Sequence, residues 1–284
     1  MEKSEPNTTL SANIHSIGKT TTYATKKQIK TLESIDEDLL RGILKAHSKT
    51  PKEFLYLETG ATPIQWILKQ RRIIFFKHIL SKDNCELVKK VYMAQKDLPN
   101  KGDFAKLVEK DLEDLNITQT QVESYDRSTL KKILKKHATN AAFEQLKTIQ
   151  AKHSKVKHIF YESLQLQPYL KSENICSEES HALTALRSRC VKSVRMNFPK
   201  MFKDRTHCPL KCDREKPHED TQDHLLKCNK NMLTGTKALS INQAFGNIVD
   251  QEEIAKAICK IIRRRATLLD QLEDMEKENQ STGA

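Results

Sequence analysis

The sequence predicts a mainly α-helical protein: a multi-helix domain, then a small Cys/His zinc module, then a long C-terminal helix. Gly and Pro, which interrupt helices, number only 7 and 8 among 284 residues. Leu, Ile, Lys and Glu, which favour helices, are abundant. Apolar residues recur at helical spacing in successive segments, and most of these segments open at a helix-capping residue.

The individual helices follow from these capping and spacing patterns. Residues 1–26 are rich in Ser, Thr and Asn without periodicity, so we expect a flexible segment. A first helix is predicted between Gln28 and His47. Further helices are predicted to start at or near Thr50, Thr62, Asp83, Asp103, Thr118, Ser128, Ser177 and Asp250.

The ends of these helices and the domain boundaries are also predicted. Gly60 should end the short helix that starts at Thr50. The helix from Ser177 should reach about Val194, and the last helix should fray after Glu273. The predicted division is 27–152 helical domain, 153–205 connecting helical region, 206–230 zinc module and 231–284 amphipathic helix with an acidic tail.

The segment CPLKCDREKPHEDTQDHLLKC carries the clearest chemical signal. Cys208, Cys212, His224 and Cys228 read Cys-x3-Cys-x11-His-x3-Cys, which is the spacing of a tetrahedral Zn²⁺ site. Four protein ligands fill the coordination sphere, so we expect a structural ion and not a hydrolytic one. His207 or His218 could replace His224, although His224 and Cys228 share a predicted helix face. Asp220 or Asp223 is a candidate for orienting a ligand.

Charge and composition indicate the kind of partner and the compartment. Lys and Arg number 49 against 37 Asp and Glu, which gives a formal charge of +12. This excess favours nucleic acid as the partner; the alternative is a protein that is lysine-rich throughout and has no polyanionic partner. The start, MEKSEPNTTLSANIH, has no apolar core of a secretory signal, and no apolar run is long enough to span a bilayer. We therefore expect an intracellular protein of nucleus or cytoplasm without a membrane partner, where clustered cysteines hold metal.

Basic residues are concentrated at a few predicted helices. These clusters are candidates for phosphate contacts, with solvated helix faces as the alternative. For Lys131–Lys136 and for the turn at Arg263, Arg264 and Arg265, the two interpretations are about even. For the group that begins at Arg187, phosphate binding is favoured, because Arg binds phosphate in a two-pronged geometry better than Lys does. The candidate nucleic-acid-binding residues are Arg71 and Arg72; Lys131 and Lys135 with neighbouring Lys132 and Lys136; and Arg187, Arg189, Lys192 and Arg195.

Catalytic motifs are missing from the sequence. It contains no Gly-rich phosphate loop, no Gly-x-Ser-x-Gly, no His-Glu-x-x-His and no adjacent aspartates of the polymerase kind. We therefore expect a binding protein and not an enzyme.

Several segments resemble the region after the polymerase core in non-LTR (LINE-class) retrotransposon reverse transcriptases. The segments that carry the resemblance are Thr50-Pro51, Leu57-Glu58-Thr59-Gly60, Pro63-Ile64, Arg71-Arg72, Gly102-Asp103-Phe104, Ser154-Lys155, Leu186-Arg187-Ser188-Arg189, and the Cys-x3-Cys pair with Asp220–Cys228. The resemblance spans about residues 28–270. It implies a helical thumb-like domain followed by a zinc knuckle, which together grip template RNA and target DNA.

The resemblance also implies what this chain lacks. The fingers and palm of the family, with its aspartate motif, have no counterpart here, and no endonuclease set is visible. The chain is therefore expected to be a non-catalytic, zinc-containing remnant that binds RNA, DNA or both. Two alternatives stay open: a protein-interaction module with a host protein partner, and an accessory part of a polymerase whose catalytic residues lie on another chain.

Overall fold

The computed structural model describes residues 25–97, 103–192, 194, 207–210, 212, 218–229, 245 and 251–282. In these ranges the secondary structure is helical, with two isolated β-bridges and no strand, which confirms the mainly α prediction. The helices are α1 (Lys26–Leu44), α2 (Lys52–Thr59), α3 (Ile64–Leu80), α4 (Leu87–Asp97), α5 (Phe104–Asp114), α6 (Gln119–Ser124), α7 (Arg127–Lys152), α8 (Pro168–Lys171), α9 (Ser177–Arg187), α10 (Gln222–Lys227) and α11 (Gln251–Thr282).

Two helix ends differ from the prediction. Helix α9 ends at Arg187 and not near Val194, because Arg189 has a φ of 51°, in the left-handed region that no helix continues through. Helix α11 continues to Thr282, past the point at Glu273 where fraying was expected. The acidic end of the described chain is therefore helical.

The chain divides into two compact units. The first comprises residues Met1–Asp38 and Thr62–Gln145, and the second comprises Leu39–Ala61 and Leu146–Ala284. The residues of the candidate zinc module fall inside the second unit.

The core of the first unit forms around α3, which contacts α4, α5 and α6. Its apolar side chains are buried among those of the neighbouring helices; the buried set includes Trp66, Leu68, Ile73, Phe76, Tyr92, Val108 and Val122. Arg72 of α3 lies within this interior and pairs with Asp111 of α5, with Nε to Oδ2 at 2.5 Å and Nη2 to Oδ1 at 2.9 Å. Burial raises the pKa of Asp111, and Arg72 opposes that shift.

The core of the second unit forms where α9 packs on α11, with α8 and α10 against α11. One apolar cluster joins these helices; it comprises Tyr169, Leu183, Leu186, Val191, Val194, Leu225, Leu226, Ile254, Ala255, Ile258 and Ile261. Because Leu225 and Leu226 belong to α10, the helix that carries His224 is part of the main core of this unit.

A turn at Gly60 positions the end of α2 in the second unit. Gly60 has a φ of 68°, and a Cβ built there would lie 2.4 Å from the backbone of Gln165 and Leu166. Thr59 forms a β-bridge with Leu166, and the Gln167 N–H donates to the Glu58 carbonyl at 3.0 Å. The Glu58-Thr59-Gly60 segment is therefore the place where α2 meets residues 165–167.

Helix α7 is amphipathic, with a narrow buried face. Leu130, Leu134, Ala138 and Ala142 recur every four residues and are each 0% exposed. In the described ranges, no helix has the length and apolar character needed to cross a bilayer.

Candidate metal centre

Four side chains from three short segments meet in the second unit. The ligating atoms of Cys208, Cys212, His224 and Cys228 all lie within 4.8 Å of one another. Cys208 Sγ is 4.0 Å from Cys228 Sγ, and Cys212 Sγ is 3.3 Å from His224 Nε2. Two thiolates on one tetrahedral ion with 2.3 Å bonds would stand about 3.8 Å apart. The four residues could therefore hold one metal ion between them.

Backbone hydrogen bonds explain why these residues converge. Thr221 caps α10 by accepting from the His224 N–H at 3.1 Å, and the Cys228 N–H donates to the His224 carbonyl at 2.8 Å. This single turn places His224 and Cys228 on one helix face. On the other side, the Cys208 N–H donates to the His218 carbonyl at 2.8 Å, and His207 bridges Glu219.

The electrostatics of the centre favour a thiolate. The Cys228 sulfur and the His224 imidazole lower the pKa of Cys208 to about 4, and burial opposes them. A thiolate is the form of cysteine that ligates metal ions. Cys208 is therefore predisposed to bind a cation.

The histidine that belongs to the cluster is His224. His218 stacks on the His224 ring, with centroids 4.9 Å apart and planes inclined by 24°, and lies outside the four-residue cluster. His207 is exposed and lies outside it too. The geometry therefore selects His224 among the three histidines considered from the sequence.

The centre is fixed to α11 by apolar packing and by a buried ion pair. Cys208, Leu210 and Cys228 form a small buried cluster, against which Cys212, Leu268, Leu269 and Leu272 pack. Asp220 pairs with Arg265 of α11, and both side chains are 0% exposed. The sequence interpretation placed Arg265 at the surface. Arg265 lies four positions after Ile261, on the apolar face of α11, and this spacing indicates a buried side chain. Asp223 instead pairs with Lys227 at 2.9 Å.

Two of the candidate nucleic-acid-binding arginines are internal. Arg72 pairs with Asp111 in the first unit and is only 6% exposed. Arg187 is 0% exposed and donates to Glu58 Oε1 at 2.8 Å. These two arginines were predicted to contact phosphates, but burial and pairing make them parts of the core, a correction of the sequence interpretation.

The remaining candidates lie at or near the surface where the structure describes them. Lys131, Lys132, Lys135 and Lys136 are exposed on α7, and Arg71 is half-buried on α3. Lys192 is exposed and Arg189 is half-buried, but both follow the end of α9, so the helix predicted to carry them does not extend to them. Arg195 lies outside the described residues.

Comparison of the chain with protein-family models, with curated proteins and with solved structures finds no match.

Proposed function

We propose that this protein binds nucleic acid through the exposed lysines of α7 and that its Cys₃His centre holds a structural Zn²⁺. Helix α7 carries seven cations against one carboxylate: Arg127, Lys131, Lys132, Lys135, Lys136, Lys147 and Lys152 against Glu144. This helix, in a chain of net charge +12, is the observation that carries the proposal.

The arrangement of the lysines suits phosphate contacts. Lys131 with Lys135, and Lys132 with Lys136, form two rows along the helix in which the backbone positions are about 6 Å apart. All four are exposed, while Leu130 and Leu134 of the same helix are fully buried. Cations held in rows by a packed helix neutralise successive phosphates without reading bases. The proposed binding is therefore indifferent to sequence and sensitive to salt.

Zinc is the metal proposed for the Cys₃His centre. Three thiolates and one imidazole in a closed tetrahedral set are typical of structural zinc sites. Its proposed role is to hold α10 and the Cys208 segment together, since bound metal contributes directly to folding.

We propose further that the chain corresponds to the region that follows the polymerase core in a LINE-class reverse transcriptase. Two segments that carry the resemblance, Glu58-Thr59-Gly60 and the one that contains Arg187, are 129 positions apart and are hydrogen bonded to each other. The buried contact between Glu58 and Arg187 gives one structural reason for the presence of both segments in the chain. Sequencing of the genomic locus tests the proposal: a LINE-class polymerase sequence, intact or decayed, is expected directly upstream, and an unrelated upstream sequence would count against the proposal.

The binding proposal is tested by removing the four lysines. The variant Lys131→Gln/Lys132→Gln/Lys135→Gln/Lys136→Gln should bind RNA or DNA more weakly in fluorescence anisotropy. The slope of log K against log[salt] should fall by as much as about 4, since each lost phosphate contact removes about 1.

A matched variant controls for charge. Lys90, Lys96, Lys106 and Lys110 are also exposed in the first unit, and changing all four to Gln removes the same charge. The proposal fails if the wild type binds no nucleic acid at low salt, or if both variants lose affinity equally.

A further inference from the structure

Three segments of the second unit meet where Thr50 and Lys155 contact Cys190. The Thr50 hydroxyl, in the loop after α1, donates to Cys190 Sγ at 3.5 Å. Lys155 Nζ, in the turn after α7, lies 4.0 Å from the same sulfur. Lys49 directly precedes Thr50, and Lys192 follows Cys190 by two residues. The fold therefore gathers lysines that are far apart in the sequence.

The loop that carries Lys49 has a defined conformation. Arg41 Nη1 donates to the carbonyls of His47 at 2.8 Å and of Thr50 at 3.2 Å. The Thr50 N–H donates to the His47 carbonyl at 2.8 Å, and the Lys49 N–H donates to His47 Nδ1 at 3.0 Å. This last bond places the proton of the neutral ring on Nε2. Residues 47–50 are thus held as a rigid turn.

The charges of the three segments act on one another. Burial lowers the pKa of His47, and Lys192, Lys49, Lys155 and Arg41 each lower it further. Lys49 and Lys192 are exposed, whereas His47 and Lys155 are half-buried. A group of cations that disfavours a further positive charge is a site where an anion is stabilised.

We propose that His47, Lys49, Lys155 and Lys192, here called the His47 patch, bind backbone phosphates of a nucleic acid. This inference rests on the proposed function and adds a second contact surface, on the second unit. Lysines act as point charges that bind phosphates in many orientations.

The experiment removes the two exposed lysines of the patch. The variant Lys49→Gln/Lys192→Gln is compared with Lys171→Gln/Lys260→Gln, which changes two exposed lysines of the same unit. Binding to a short RNA, a single-stranded DNA and a duplex DNA is followed by anisotropy across a salt series. The patch variant should lower the salt slope by about 2, with the affinity reduced for every sequence, and the control should not. Matching circular dichroism and Tm values establish that both variants are folded.

The outcomes separate the two proposals. Suppose the α7 variant binds nucleic acid more weakly than the wild type, while the patch variant has the same affinity and salt slope as its control. The His47 patch is then not a phosphate site, and the proposed function stands. If the wild type binds no nucleic acid, the proposed function fails and this inference fails with it. Binding of the patch to anionic vesicles or an acidic peptide, without any effect on nucleic acid, overturns the assignment of the partner.

Discussion

Arg187 donates through Nε to Oε1 of Glu58 at 2.8 Å, and both side chains are fully buried. The same carboxylate accepts from Tyr161 at 2.5 Å and from Tyr169 at 2.7 Å. Burial and the nearby Glu58 raise the pKa of both tyrosines, so each remains a protonated donor at neutral pH. Burial lowers the pKa of Arg187, but Glu58 together with Tyr161 and Tyr169 raises it above its ordinary value. The network joins α2, α9 and the 161–169 segment.

Breaking this network should destabilise the second unit. Arg187→Met leaves the Glu58 carboxylate buried without its cation, and such losses cost about 3–5 kcal/mol. Urea unfolding followed by circular dichroism should therefore show a lower free energy of unfolding. The double variant Glu58→Gln/Arg187→Met should lose less than the sum of the single changes, because the two charges are coupled.

An exposed ion pair serves as the control for the Arg187 variant. Arg263 and Glu178 pair at the surface, and both side chains are 58% exposed. Glu178→Gln should change the midpoint far less than Arg187→Met, because solvent screens the pair. Equal effects of the two changes would contradict the internal role given to Arg187.

Two glycines provide a matched pair of opposite predictions. Gly60→Ala should destabilise the protein by more than about 1 kcal/mol, since the residue has a positive φ and its Cβ would meet the 165–166 backbone. Gly42→Ala, inside α1, should stabilise it by about 0.5–1 kcal/mol, because nothing lies within 4 Å of the new Cβ. Thermal unfolding of both variants decides, and a shift of the same sign in both would refute the account of Gly60.

Helix identity was predictable because local signals determine it. The Thr118 capping box with Gln121 forms as expected, and Gly60 ends α2 in the left-handed conformation. The end of α9 was missed because a lysine- and arginine-containing segment shows no Gly or Pro at the point where Arg189 turns.

The four metal-cluster residues were predictable because ligand spacing is a local property. The roles of the arginines were not, because burial depends on contacts between distant segments. Arg72, Arg187 and Arg265 each meet a carboxylate far away in the sequence, respectively Asp111, Glu58 and Asp220. A basic residue on the apolar side of a helix is the available sequence signal for such a partner.

Metal analysis tests the proposed ligands. Cys208→Ser and His224→Ala should each lower the zinc content of the purified protein well below one ion per chain, because each removes one of four ligands. Elemental analysis by mass spectrometry measures this content directly. His218→Ala, which removes only the ring stacked on His224, and Cys85→Ser, an exposed cysteine, should retain the metal. Loss of metal from His218→Ala would make His218 a ligand.

The buried Asp220–Arg265 pair should control how firmly the centre keeps its metal. Arg265→Met leaves Asp220 without the cation that fixes it to α11, next to the leucines on which Cys208 and Cys228 pack. We expect faster metal loss to a chelator than in the wild type, with the metal content before the challenge unchanged. Arg264→Met, at an exposed neighbouring position, is the control. Equal rates in the two variants would show that the pair does not support the centre.

The pKa of His47 reports on the patch without any ligand. It lies below the ordinary value of 6.5 because of burial and because of Lys192, Lys49, Lys155 and Arg41. Lys192→Gln removes one of these cations, so the His47 pKa should rise towards 6.5, measured from the imidazole proton shift in an NMR titration.

The lowered pKa of His47 also makes the stability of the protein depend on pH. Because folding lowers this pKa, the unfolded chain binds the proton more readily. The contribution of His47 to stability is therefore lost as the pH falls from 6.5 through the pKa of the folded protein. Lys192→Gln should make that loss smaller. Lys260→Gln should leave the His47 titration unchanged. If the His47 pKa is also unchanged in Lys192→Gln, Lys192 does not act on His47.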